Sequence, residues 1–270
     1  MAEVKKKQEG RSLFRSTKIE ITDGALIPEV GERSIFSAWN ISFFGALTLI
    51  VILPLTSPDP FWKILRFLPD GIARTFQVTV ISIVFALIIG LFVGLGRISR
   101  ITIINRAATI YVEVIRGLPL LVQLFYIYYG MGFLSLPPLF SAVTAMAVCY
   151  GAYMGEIFRA GILSIPKGQM EAALALGMNR RQALRKVILP QTMRVILPPV
   201  GNEFIALLKD SSLVSIIAVS DLLRRGREFA SITFQYFETY TMVALSYLVL
   251  TLFFSRLVGI MEARLERKSE

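Results

Sequence analysis

Three charged residues, Glu203, Lys209 and Asp210, lie within an otherwise apolar stretch near 195–220. Carboxylates bind an ammonium group, and a lysine or a free backbone N–H group binds a carboxylate, so the set suits a zwitterionic ligand. Because Glu203 and Asp210 are seven residues apart, a helix places them on one face. The competing interpretation is an internal ion pair that only stabilises the helix bundle.

Two sequences in this stretch predict interruptions of the helix, Pro198-Pro199-Val200-Gly201 and Asp210-Ser211-Ser212. An interrupted helix exposes N–H and C=O groups that bind the ends of a substrate. Ser211 and Ser212 therefore either belong to the ligand site or cap the helical segment that follows. Each charge at the centre of a span opposes membrane insertion by roughly 2.5–3.5 kcal/mol, so we expect this helix to face the interior of the bundle.

A second feature is the long polar loop 159–194, which predicts two short helices. Ser164 predicts the start of the first helix, and Gly177 predicts its end at position C′. Asn179 predicts the start of the second helix, which should end at Pro190.

Small side chains on the first of these helices, Ala172 and Ala173 beside Glu171, allow a partner to approach the backbone closely. This pattern favours a helix that lies in the groove of a partner protein. The alternative is an amphipathic helix on the membrane surface. In that case four basic residues would hold it there: Arg180, Arg181, Arg185 and Lys186.

The composition indicates a membrane protein. Apolar residues make up 54% and charged residues only 18% of the 270 residues, whereas about 25% of a soluble domain is charged. The 29 Lys and Arg residues exceed the 19 Asp and Glu residues, and the apolar excess favours basic membrane loops over nucleic-acid binding. The absence of histidine and the single cysteine, Cys149, exclude a histidine base, a His or Cys metal cluster and an internal disulfide.

Charge-free runs predict an all-α polytopic membrane protein with six transmembrane helices. The run 117–155 is too long for one span, and the glycines and prolines of 130–138 predict a turn inside it. The predicted spans are 36–55, 75–96, a third from near Ala107 to that turn, a fourth from the turn to near Arg159, and two more at about 195–220 and about 237–257.

The distribution of Lys and Arg orients these spans. The first 34 residues, the loops 97–106 and 159–194 and the tail hold 21 basic residues, whereas the alternate set of loops holds 5. Because basic loops stay in the cytoplasm, we expect both termini and the 159–194 loop on that side.

Small-residue pairs within the spans predict close helix packing, and charged residues three positions apart predict structural ion pairs. The glycine pairs are Gly90 with Gly94 and Gly151 with Gly155. The charged pairs are Glu113 with Arg116 and Glu156 with Arg159.

The loop sequence also carries a resemblance. Glu171-Ala172-Ala173, followed by Gly177 and by Ile188-Leu189-Pro190, resembles the EAA motif of permease subunits of ABC importers. Three further segments resemble the polar amino acid branch of that family: 111–130, 151–169 and 204–217.

The resemblance implies a five-helix permease core of a type I importer at 70–262. An N-terminal arm at 1–34 and an additional helix at 35–56 would precede this core, and a cytoplasmic tail at 263–270 would follow it. The implied location is the bacterial cytoplasmic (inner) membrane. The implied partners are a second permease subunit, of the same or a sister chain, two ATPase subunits and an extracytoplasmic amino-acid-binding protein.

The sequence has no Walker A motif (G-x-x-x-x-G-K followed by Ser or Thr), so we expect no ATP hydrolysis on this chain. ATP and Mg would be bound by the separate ATPase, and we expect no cofactor here. That ATPase would dock on the loop through four residues that match the motif: Glu171, Ala172, Ala173 and Gly177.

Two other classes of protein fit the sequence less well. An intramembrane enzyme would need a Ser-His dyad, a metal cluster or paired aspartates, and the sequence lacks the histidine and the second intramembrane aspartate. A stand-alone secondary transporter or channel fits the composition but leaves the two helices of the 159–194 loop unexplained. For a transported amino acid, two acids and one base favour a cationic substrate, with a neutral polar one as runner-up.

Overall fold

The computed structural model describes residues 37–130, 132 and 137–266, and every regular element among them is helical. The predicted arm at 1–34 and the end of the predicted tail lie outside these residues. The helices are α1 (Ala38–Thr56), α2 (Pro58–Phe67), α3 (Pro69–Arg97), α4 (Thr102–Gly117), α5 (Leu120–Gly130), α6 (Pro138–Leu163), α7 (Lys167–Ala175), α8 (Arg180–Ala183), α9 (Leu189–Asp210), α10 (Leu222–Thr233) and α11 (Tyr236–Glu266). A π-helical turn, Leu184–Ile188, joins α8 to α9, and a 3₁₀ helix, Ser211–Ile217, follows α9.

Within the described residues, four helical segments are long and apolar enough to cross a membrane: α1, the α2–α3 segment, α6 and α11. Helices α4 and α5 add a fifth span if they are counted together, although a bend of 105° separates them. Helix α9 is not in this set, and it carries Arg194, Glu203, Lys209 and Asp210. The all-helical membrane fold is confirmed, whereas the predicted number of six spans is not.

Helices α3 and α6 form the centre of the bundle. A Cβ atom at Gly90 would lie 2.9 Å from the backbone of Met154, and one at Gly94 would lie 2.8 Å from the Cβ atom of Phe158. The residue numbers of α3 and α6 increase together along this contact, so the two helices run parallel. Only glycine allows them to pack this closely. The packing predicted for the glycine pairs is confirmed.

The bundle has two ends. Because α3 and α6 are parallel, Arg97 and Leu163 lie at the same end as α7 and α8, which we call the loop end. Helices α2 and α10 lie at the opposite, far end. Helix α1 begins towards the loop end, since Trp39 Nε1 donates to the Leu252 carbonyl, 3.1 Å away, in the second half of α11. Helix α1 therefore begins, and helix α11 ends, on the side of the loop.

Helix α9 is continuous through its prolines, so the predicted helix end at Pro190 and the predicted interruption at 198–201 are both wrong. Pro190 lies in the first turn of α9, where a missing N–H group costs little. Tertiary packing holds the middle of the helix: a Cβ atom at Gly201 would lie 2.7 Å from Val258 of α11. The other predicted interruption is present, because the α-helix ends at Asp210 and the 3₁₀ helix begins at Ser211.

Candidate substrate cavity and coupling loop

The bend between α4 and α5 lies at Leu118 and Pro119. Leu118 is extended (φ −106°, ψ 136°), as the steric requirement of a following proline favours. The Gln123 amide donates to the carbonyls of Ile115 at 2.7 Å and of Leu118 at 2.9 Å. These bonds satisfy carbonyl groups that have no helical partner at the bend. The third predicted span is therefore broken, which the charge-free run did not indicate.

A cavity of about 560 Å³ opens beside this bend. Three helical regions line it: residues 116–120 at the bend, Cys149, Tyr150 and Tyr153 from α6, and Glu203, Ala206 and Asp210 from α9. Its charged groups are two carboxylates and one guanidinium, so the ionised lining has a charge of −1. A broken helix, two acids and one base thus meet at one opening in the membrane-spanning region.

The structure separates the residues predicted for this site. Glu203 and Asp210 both line the cavity, in agreement with their two-turn spacing. Lys209 is exposed and does not line it, because successive residues on a helix point about 100° apart. Ser211 is buried and donates its hydroxyl to the Leu208 carbonyl at 2.7 Å. The half-buried Ser212 is not part of the lining either.

The positive group of the cavity is Arg116 instead of Lys209. Its guanidinium lies over the Tyr153 ring, 5.1 Å from the ring centroid, a cation–π arrangement. The i,i+3 spacing predicts pairing with Glu113, but no ion pair joins the two in the described part of the chain. The Leu118–Pro119 sequence is the signal that would have indicated a helix break, and with it the position of Arg116 at an opening.

Tyr150, which has no signal in the sequence, links two walls of the cavity. Its hydroxyl donates to Asp210 Oδ2 at 2.8 Å and joins α6 to α9. Helix α6 continues from Tyr150 to Leu163 and leads into α7, while α9 reaches Asp210 from the π-helical turn. The cavity is therefore connected to the loop through two uninterrupted helices.

The end of α7 matches the prediction at Gly177. This glycine has φ +84° and follows the last helical turn. The Met178 N–H donates to the Ala173 carbonyl at 3.2 Å, and the Gly177 N–H donates to the Leu174 carbonyl at 3.0 Å. These two bonds form a Schellman motif, in which glycine adopts the positive φ at the lowest cost.

The start of α8 also matches the prediction. The Gln182 N–H donates to Asn179 Oδ1, and the Asn179 N–H donates to Gln182 Oε1, both at 2.9 Å, which is a capping box. The predicted cap at Ser164 is wrong, because Pro166 precedes the first residue of α7. The Ser164 hydroxyl donates instead to the Gly161 carbonyl at 2.8 Å, at the end of α6, since a serine satisfies whichever free backbone group is nearest.

The surface of this loop is open to a partner. Of the four motif residues, Ala173 is buried, whereas Glu171, Ala172 and Gly177 are exposed. Leu176 next to them is 80% exposed. In the described residues, α7 packs against α8 and the π-helical turn, and Gln191 of α9 donates its side-chain amide to Gln169 of α7 at 3.1 Å. Exposed small and apolar side chains on a protruding helix are typical of a surface that another protein covers.

An ion-pair cluster lies between the cavity and the loop. Glu156 of α6 binds Arg159 on its own helix and Arg97 at the end of α3. The predicted pair of Glu156 with Arg159 is confirmed, and Arg97 adds a link between two helices that the sequence did not indicate.

Comparison with known proteins identifies the family. The model of the family described as "Binding-protein-dependent transport system inner membrane component" matches residues 84–267. The chain belongs to this family. It is 40% identical over 226 residues to the L-cystine transport system permease protein TcyB of Bacillus subtilis, covering 82% of this chain and 95% of that protein. It is 39% identical over 209 residues to the glutamine transport system permease protein GlnP of Escherichia coli, covering 76% and 95% respectively.

Solved structures agree. A crystal structure of an amino acid ABC transporter with histidines contains a chain that is 42% identical, with a TM-score of 0.70, over 75% of this chain and 95% of that one. The MetNI methionine ABC transporter shares the fold, with a TM-score of 0.62 at 23% identity over 74% of this chain and 97% of that one. The protein is therefore a multi-pass inner-membrane permease subunit of an ABC importer. It is not an enzyme, and the family favours this assignment over a secondary transporter or channel.

Proposed function

We propose that this permease moves polar amino acids, preferentially cationic ones, into the cell through the cavity between α4–α5, α6 and α9. The observation that carries this proposal is the presence of Glu203, Asp210 and Arg116 in one lining. Arg116 binds the α-carboxylate, one acid binds the α-ammonium group, and the other acid remains for a cationic side chain. The cystine and glutamine named for TcyB and GlnP support polar amino acids as the substrate class.

Glu203 is the acid that we assign to the side-chain cation. Tyr150 donates to Asp210, whereas no hydrogen bond to Glu203 is found in the described residues. A neutral substrate leaves the Glu203 carboxylate desolvated and without a partner, which is unfavourable. Asp210 then binds the α-ammonium group, and Ser211 and Ser212 behind it stay predicted members of the site.

Uptake by proteoliposomes that contain the permease, its ATPase and a saturating binding protein tests this assignment. Glu203→Gln should lower uptake of arginine at least tenfold and that of glutamine less than twofold, because loss of a charged hydrogen bond costs about 1.5–3 kcal/mol. Glu238→Gln, at a half-buried acid outside the lining, is the matched control. Equal losses for both substrates, or a wild-type complex that does not transport arginine, would contradict the cationic preference.

The loop formed by α7 and α8 docks on the separate ATPase, which binds ATP and Mg. The exposed side chains of Glu171, Ala172 and Leu176 support this role. The loop end and both termini are cytoplasmic, supported by the 21 basic residues on that side against 5 on the other. A Gln182→Cys variant without Cys149 tests the orientation, since labelling by an impermeant thiol reagent from outside intact cells would contradict it.

A second permease subunit, of the same or a sister chain, covers the outer face of α4. Ile110 and Val114 on this face are 60% and 53% exposed. Glu113 is exposed beside them. Against lipid, the charge of Glu113 would cost roughly 2.5–3.5 kcal/mol, which supports a protein neighbour. Oxidative cross-linking of a Val114→Cys variant into dimers tests the same-chain arrangement, with Phe92→Cys on the exposed face of α3 as control.

A further inference from the structure

Two arginines of α10 are bonded to the 3₁₀ helix that directly follows Asp210. Arg224 Nη1 donates to the Ser215 carbonyl at 3.2 Å, and Arg227 Nη2 donates to Ser215 Oγ at 3.1 Å. Ser215 is completely buried. Helix α10, at the far end of the bundle, is thus bonded to the segment that positions Asp210 in the cavity.

The two arginines differ in the charge of their partners. Arg224 also pairs with Glu228 at 3.0 Å, so its charge is compensated. Arg227 is exposed, and in the described part of the chain the only hydrogen bond of its guanidinium is to the neutral Ser215 hydroxyl. A hydrogen bond between two charged groups is roughly twice as strong as one to a neutral acceptor. A carboxylate brought to this surface would therefore bind the Arg227 guanidinium more strongly than the Ser215 hydroxyl does.

The start of α10 is fixed independently of these bonds. Asp221 caps α10 by accepting from the N–H groups of Leu223 at 3.2 Å and Arg224 at 3.1 Å, and burial raises the pKa of Asp221 to about 6. The Leu222 N–H donates to the Thr75 hydroxyl of α3 at 3.1 Å. The contact between Arg227 and Ser215 is thus separable from the anchoring of α10 on α3.

We propose that Arg227 is a positioning residue that exchanges its bond to Ser215 for a bond to a carboxylate on the docked external binding protein, and thereby releases the 211–217 segment and Asp210. This inference rests on the proposed function, because it requires a binding protein at the far end. Arg74 supports an acidic partner, since its hydrogen bond in the described residues is also to a neutral group, the Gln77 amide at 2.6 Å. Release of this segment moves Asp210, and the substrate cavity therefore changes when the binding protein docks.

The test is the ATPase activity of the reconstituted importer, measured with and without substrate-loaded binding protein. Ser215→Ala removes the acceptor but keeps Arg227, so basal ATPase should rise while the binding-protein concentration for half-maximal stimulation stays the same. Arg227→Gln should raise the basal rate and also increase that concentration about tenfold, as expected for the loss of one charged hydrogen bond. Arg227→Lys should restore most of the apparent affinity. Arg66→Gln, on α2 at the same end, is the control and should behave like the wild type.

The outcomes separate this inference from the function on which it rests. A wild-type complex that no binding protein stimulates would overturn the proposed function and the inference together. Normal stimulation of the wild type, combined with unchanged basal rates in Ser215→Ala and Arg227→Gln, would overturn only the role of Arg227. An equal shift of the half-maximal concentration in Ser215→Ala and Arg227→Gln would also overturn it, because a purely structural contact gives that result.

Discussion

The cavity wall, which α6 forms with α3 packed behind it, and the coupling loop both depend on glycine, but for different physical reasons. In the wall, a Cβ atom at Gly155 would lie 2.6 Å from Val93, so glycine is needed for two helices to approach. In the loop, a Cβ atom at Gly177 would have no neighbour within 4 Å, and glycine is needed for its φ of +84°. The wall is therefore determined by contacts between remote residues, whereas the loop is determined by bonds within one short segment.

The largest effect is expected at the wall. Gly155→Leu forces α3 and α6 apart, and overpacking of this kind costs about 1–3 kcal/mol or more. We expect little folded protein, measured as membrane yield and as the thermal midpoint in detergent. Gly259→Leu on α11 is the control, because a Cβ atom there has no neighbour within 4 Å. A normal yield of Gly155→Leu would show that the wall tolerates separation of its helices.

The loop should lose function while it keeps its fold. Gly177→Leu introduces a side chain at positive φ, which costs about 1–2 kcal/mol and adds bulk on the surface proposed to meet the ATPase. We expect normal membrane yield but uncoupling, seen as ATPase activity that loaded binding protein no longer stimulates.

Gly177→Asn separates the two causes, because asparagine accepts positive φ more readily than leucine does. It should retain more stimulation than Gly177→Leu. Normal stimulation and uptake in the leucine variant would contradict the docking role of this surface.

The same difference explains which features were predictable from the sequence. Asn179 and Gly177 carry local capping signals, and both predictions are confirmed. The prolines at 198–199 were misleading, because the packing of α9 against remote helices keeps it continuous. Arg116 lines the cavity because the chain bends after it, and the only sequence signal of that bend is Pro119. Local signals therefore predict the boundary between the two loop helices at Gly177 and Asn179, although not the start at Ser164 or the end at Pro190, whereas the wall requires knowledge of which helices become neighbours.

The predicted site residues of α9 show what the sequence can and cannot predict. The seven-residue spacing of Glu203 and Asp210 is a property of a single helix, and both line the cavity. Lys209 belongs to the same helix, but its direction relative to the cavity depends on how α9 is rotated against α6. Helical periodicity predicts which residues share a face, but not which neighbour that face contacts.

The smallest effect is expected for the bond that joins the two walls of the cavity. Tyr150→Phe removes the hydroxyl that donates to Asp210 at 2.8 Å and leaves that carboxylate without this donor. The loss of a hydrogen bond to a charged group costs about 1.5–3 kcal/mol, of which a bound substrate ammonium recovers a part. We therefore expect a change of severalfold, and less than about tenfold, in the substrate concentration for half-maximal uptake.

This change should be confined to the cavity. Because α6 and α9 remain packed through Gly161 and Ile196, the loop should keep its position, and binding protein should still stimulate the ATPase of Tyr150→Phe as in the wild type. Tyr153→Phe is the matched control, since it keeps the ring that Arg116 contacts. Loss of ATPase stimulation in Tyr150→Phe with unchanged half-maximal uptake would contradict the separation of wall and loop, because it would mean that this one hydroxyl positions the loop through the length of two helices.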